Sequence, residues 1–68
     1  MLTNRKKILE AILFLENIPV PFEKLSKYLN LDENEIKTVA SELIAEYNNS
    51  ERGIKIIEIA DGYQMVPA

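Results

Sequence analysis

Apolar positions recur most regularly between Asp32 and Asn48, in the segment DENEIKTVASELIAEYN. Ile36, Val39, Ala40, Leu43, Ile44 and Tyr47 are spaced i, i+3, i+4, i+7, i+8 and i+11, which sets all six along one stripe of an α-helix. No strand pattern fits. Asp32 is placed to cap this helix, and Glu35, three residues on, to reach back to the cap's own N–H, so two donors without helical partners are satisfied together. The outer face carries Glu33, Glu35, Glu42 and Glu46 against one cation, Lys37. The stripe predicts a buried helix; the acidic face limits what that helix can bind.

A second helical pattern precedes it. Thr3 or Asn4 can cap a helix that runs through Arg5, Lys6 and Lys7 into ILEAILFLE. At about 100° per residue, Ile8, Ala11, Ile12 and Leu15 cluster on one face and read as its core stripe. Leu9 and Leu13 fall together off that face, with Phe14 roughly opposite them. Either the domain covers this helix on two sides, or Leu9, Leu13 and Phe14 are the contact with a partner.

Asn17-Ile18-Pro19-Val20-Pro21 ends the first helix, because a residue before proline is pushed out of the α region and proline cannot donate to the ladder. Pro21 suits the first turn of another helix, with Phe22, Leu25 and Leu29 inward, Tyr28 beside them, and Glu23, Lys24 and Lys27 outward. The short link to Asp32 makes a helix-turn-helix pair, with the Asp32–Asn48 helix in the recognition position. Residues 48–53 hold breakers and read as a loop. Ile54–Ile59 is β-branched, Asp61-Gly62 signals a tight turn, and Tyr63–Val66 returns as a second strand, so the chain closes on a β-hairpin. Ile56 and Ile57 are both apolar, which predicts a hairpin covered on both faces or bulged. Pro67 sits at the end of the return strand, where a missing N–H costs least. The fold expected is α+β: one small winged-helix domain over residues 1–68, with three helices and the hairpin as wing.

Composition narrows the chemistry. Sixty-eight residues, 47% hydrophobic and 28% charged, make a folded domain so small that self-association is a natural source of further burial. The chain has neither cysteine nor histidine, which removes disulfides, thiolate sites and the commonest general base and metal ligand. Catalysis would rest on carboxylates alone, and Glu42 with Glu46, one turn apart, reads as a solubilising pair. Tyr63 reads as a strand residue packing across the hairpin. No catalytic residue, metal or cofactor is expected. Net charge is −3, divided between a basic stretch from Met1 to Lys27, with five Lys/Arg against three Asp/Glu, and an acidic remainder with three against eight. A recognition helix opening on three carboxylates would repel a phosphate backbone, so sequence-specific DNA binding by a transcriptional regulator is the weaker alternative. Arg5-Lys6-Lys7 is the one basic cluster, and it reads as a solvated first turn. No apolar run is long enough to span a bilayer, and the start lacks the apolar region of a signal peptide, so a cytoplasmic protein without membrane contact is expected.

Taken together, Ala11-Ile12-Leu13-Phe14 before a loop marked by Pro19, the Leu25…Leu29-x-Leu31 helix, Leu43 to Tyr47, and Gly53-Ile54-x-Ile56 followed by Asp61-Gly62-Tyr63-Gln64-Met65 resemble the N-terminal winged-helix domain of the segregation and condensation protein B family. The likeness runs through nearly the whole chain. It departs from the family's usual glycine-glutamate-proline loop, having Asn17-Ile18-Pro19 there, and the chain stops where the family continues into a second winged-helix domain. The resemblance implies a non-enzymatic subunit of the bacterial SMC–kleisin machinery of chromosome condensation and segregation, acting at the nucleoid. It also implies a homodimer paired largely through this domain, with the kleisin subunit, segregation and condensation protein A, as partner and SMC in the full complex.

Overall fold

A computed structural model describes residues 2–16 and 18–68, with side chains from Asn4 onward. The elements are α1 (Leu2–Leu15), β1 (Val20–Pro21), α2 (Phe22–Leu29), α3 (Glu33–Asn49), β2 (Ile54–Ile59) and β3 (Gly62–Pro67). The strands form one antiparallel sheet in the order β1-β3-β2. This is the expected α+β winged helix with one strand more than the sequence predicts.

The third helix begins as its pattern requires. Glu35 N–H donates to Asp32 Oδ1 at 2.8 Å and Asp32 N–H donates to Glu35 Oε1 at 3.1 Å, which completes the capping box. Ile36, Val39, Ala40, Leu43 and Tyr47 are buried and Ile44 is half-buried. Against this stripe pack Leu25 and Leu29 of α2, Leu9 and Leu13 of α1, Leu31, Ile56 of β2 and Tyr63 of β3. Asn30 ends α2 in the left-handed region (φ 55°), a conformation that a short polar side chain tolerates.

The wing differs from its expected form in two ways. Its register runs without a bulge from Ile54 opposite Pro67 to Ile59 opposite Gly62, so the turn residues are Ala60 and Asp61 and Gly62 already belongs to β3. Gly62 is needed for another reason. Val20 and Pro21 pair with Tyr63 and Gly62, and a Cβ on Gly62 would lie 1.9 Å from the Val20 carbonyl oxygen. Proline in this short strand hid it from the sequence, yet Phe22 N–H donates to the Asp61 carbonyl at 2.7 Å and continues the seam. The connection between α1 and α2 is thereby fastened to the wing. Of the residues expected to end α1, Asn17 lies outside those described.

Candidate functional site: the outer face of the first helix

The first helix is rotated from its expected setting. Leu9 and Leu13 are 0% and 1% exposed and stand in the core, whereas Ile8 is 47%, Phe14 68% and Leu15 76% exposed, Ala11 is exposed and Ile12 is half-buried. The assignment of Leu9 and Leu13 to a partner surface is therefore corrected: both are enclosed by α1's own domain. Of the three candidate contact residues, Phe14 alone stands outside. The physical reason is that α1 is apolar over most of its circumference, so either apolar arc could face inward. The helix also starts at Leu2, two residues earlier than a Thr3 cap allows and three earlier than an Asn4 cap, and both residues lie within it.

Polar contacts hold α1 in this rotation. Tyr47 Oη donates to Glu10 Oε2 on the flank of α1, Lys6 pairs with Glu46, and the Arg52 guanidinium, 3.7 Å from Glu10 Oε2, lies 4.3 Å over the Tyr47 ring. Burial pushes the Tyr47 phenol above its ordinary pKa, and the bond to the Glu10 carboxylate adds to the rise. Lys6 thus meets Glu46 directly and feels the charge of Glu42 beside it. With α1 so fixed, Ile8, Ile12, Leu15 and Glu16 form a shallow apolar groove against Tyr28 of α2. Lys24 closes its rim, 3.5 Å from Glu16 Oε1 and 5.8 Å from the Tyr28 ring centroid. Exposed Phe14 and Ile18 extend the apolar surface beyond the groove.

The recognition helix offers a different surface. At its start Glu33 joins Glu23 of α2 and Glu58 and Asp61 of the wing around one notch, and Lys37, the cation there, is held 3.3 Å from Glu33 and 5.5 Å over the Phe22 ring. Only Glu33 of these belongs to α3; folding adds Glu23 of α2 and two carboxylates of the wing. A nucleic-acid backbone would meet four carboxylates at the end that ought to read bases. Tyr63, expected to pack across the hairpin, is buried with its ring edge-on to Phe22 (5.4 Å, 89°), which joins wing to α2.

The fold and its surfaces define a small winged-helix domain whose reading helix is acidic and whose first helix leaves an apolar face uncovered. The sequence profile of the family described as segregation and condensation complex subunit ScpB matches residues 7–68, and the chain belongs to that family. It is 43% identical over 60 residues to segregation and condensation protein B of Alkaliphilus oremlandii and 42% identical over 60 residues to that of Alkaliphilus metalliredigens, covering 88% of this chain in each case. The chain spans about a third (32%) of the length of these relatives. Among solved structures, a dimer of the ScpB N-terminal domain complexed with ScpA peptide superposes with a TM-score of 0.88 at 28% identity, over 98% of this chain and 84% of that one. A conserved hypothetical protein from Chlorobium tepidum superposes with a TM-score of 0.86 at 26% identity, over 98% of this chain and 43% of that one. Among the described residues no helix is long and apolar enough to cross a membrane.

Proposed function

We propose that this domain is a dimerising adaptor of a chromosome condensation and segregation complex, the N-terminal part of a two-domain subunit that works at the nucleoid in the cytoplasm. It pairs with a second copy of itself and contributes to holding a kleisin subunit, as the related domain solved as a dimer with ScpA peptide does. It does this as scaffold and not as catalyst. The observation that carries the reading is the uncovered apolar face of α1, with Ile8 and Leu15 outward, Tyr28 beside them and Phe14 on the flank. In so small a domain this surface gains most by meeting its own copy, since a two-fold contact buries one patch twice. The alternative of a DNA-binding regulator fares poorly against the carboxylates around the start of α3.

Light scattering across a concentration range tests this directly. The wild-type chain is expected at twice its 7.8 kDa mass. Leu15→Glu replaces an apolar contact worth roughly 1.5–3 kcal/mol per buried leucine with a charge facing its symmetry mate, and Phe14→Glu does the same on the flank. Both variants are expected at the monomer mass with unchanged helical circular dichroism, because neither residue belongs to the core. A wild-type mass of one chain at every concentration would refute the pairing.

A further inference from the structure

In the sheet order β1-β3-β2, β3 is bonded on both sides and β2 on one, so among the described residues β2 is a free edge. Ala68 N–H donates to the Gly53 carbonyl at 3.0 Å, and the bonded pairs of an antiparallel ladder recur at every second residue. In the register of the hairpin, Lys55, Ile57 and Ile59 therefore bond to Val66, Gln64 and Gly62. The N–H and C=O groups of Ile54, Ile56 and Glu58 then point away from β3. Pro67, which has no N–H, stands opposite Ile54, where none is needed. Such an outward row is a template for another strand. Lys55, Ile57 and Ile59 alternate onto the outer face of the sheet, where Lys55 is exposed and Ile59 is 41% exposed. An added strand would find apolar side chains to lie beside.

Charge decides what can be added. Lys55 and Glu58 stand toward the two ends of the free row, and neither takes part in an ion pair among the described residues. Like charges directly opposite one another on paired strands repel, and long side chains reach the diagonal neighbour as well. A second copy of β2 laid antiparallel about a two-fold axis at Lys55 or Ile56 brings the two lysines into such contact. An axis at Ile57 or Glu58 does the same to the two glutamates. The edge is thus guarded against itself. A strand with the opposite order of charges meets no such obstacle, because its cation would lie at Glu58, beside Glu33 and Asp61 of the acidic notch, and its carboxylate at Lys55.

We propose that β2 takes up an extended segment of a partner protein as a further strand, running antiparallel, with a basic residue opposite Glu58, a branched apolar residue opposite Ile57 and an acidic residue opposite Lys55. The site is on the wing and does not depend on pairing through α1. The probes are two end-capped peptides of identical composition, Val-Arg-Val-Thr-Glu-Thr and Val-Glu-Val-Thr-Arg-Thr, in which the two charges change places. Each is titrated into the full chain while the backbone amides are followed by NMR. The wild type is expected to bind the first peptide on the order of tenfold more tightly than the second, with the amide protons of Ile54, Ile56 and Glu58 shifting most and exchanging more slowly with solvent. A Lys55→Glu, Glu58→Arg double variant is expected to reverse the preference. Equal binding of the two peptides by the wild type, or no saturable shift at the β2 amides with either, overturns the proposal. Tighter binding of the second peptide by the wild type overturns the antiparallel direction, and an unchanged preference in the folded double variant overturns the assignment of charge reading to Lys55 and Glu58.

Discussion

At Tyr47 a phenol enclosed near the end of α3 is bonded to Glu10 and roofed by Arg52, so one side chain ties α3, α1 and the loop before the wing together. Its pKa is raised first by burial and then by the neighbouring carboxylate, and that of Tyr63 is raised chiefly by burial. A folded-state pKa above the unfolded one means that the contribution is whole below the ordinary phenol value of about 10 and is lost as pH climbs through the raised value. Lys6, raised by its bond to Glu46, works in the same direction. Urea unfolding followed from pH 9 upward is therefore expected to show stability falling beyond about pH 10, and less steeply in a Tyr47→Phe, Tyr63→Phe double variant. Parallel profiles for the two proteins would acquit the phenols. Gly62 teaches a different point at this scale. Beside Asp61 it looks like a turn glycine, but its backbone φ is not positive; the need for a bare Cα comes from a strand that crosses it forty residues away in sequence.

Among the elements, α3 was legible in the sequence because everything that determines it is local: a single apolar stripe, a capping box and an acidic outer face. Leu43 is 2% exposed in the middle of that stripe, and Leu43→Ala is expected to cost about 2–5 kcal/mol, against less than about 0.5 kcal/mol for exposed Glu42→Ala. Denaturant titration reads both; equal losses would place the stripe elsewhere. The hairpin was legible in outline and displaced by one residue at its turn, where Ala60 takes the left-handed region (φ 53°) ahead of the Asp-Gly pair. The first helix was not legible. Two apolar arcs of similar strength leave a helical wheel undecided, and the choice is made by contacts distant in sequence, Tyr47 with Glu10 and Glu46 with Lys6. The arc mistaken for core, Ile8, Ala11 and Leu15, has the seam spacing of helices that pack on other helices, so the candidate surface was present in the sequence but credited to the interior. Leu13→Glu consequently belongs with Leu43→Ala as a change that destabilises the core, which sets it apart from Leu15→Glu.

For the molecule as a whole, the wing is joined to the rest by more than its place at the end of the chain. Val20 pairs with Tyr63, so two residues of β1 close a circuit of about forty residues that encloses α2, α3 and most of the hairpin. Such a closure costs loop entropy and repays it with a few backbone bonds, which gives it nothing to offer until the hairpin has formed and the helices have delivered β1 to its edge. The circuit should accordingly close after the folding barrier has been crossed and open early on the way back. Gly62→Ala, which forces Val20 away, is expected to leave the refolding rate nearly unchanged and to speed unfolding on the order of tenfold or more, so that the two limbs of a stopped-flow chevron respond unequally. Slowed refolding would place the closure inside the nucleus. Through this pairing a side chain too large at residue 62 would shorten the lifetime of the folded domain without obstructing its formation.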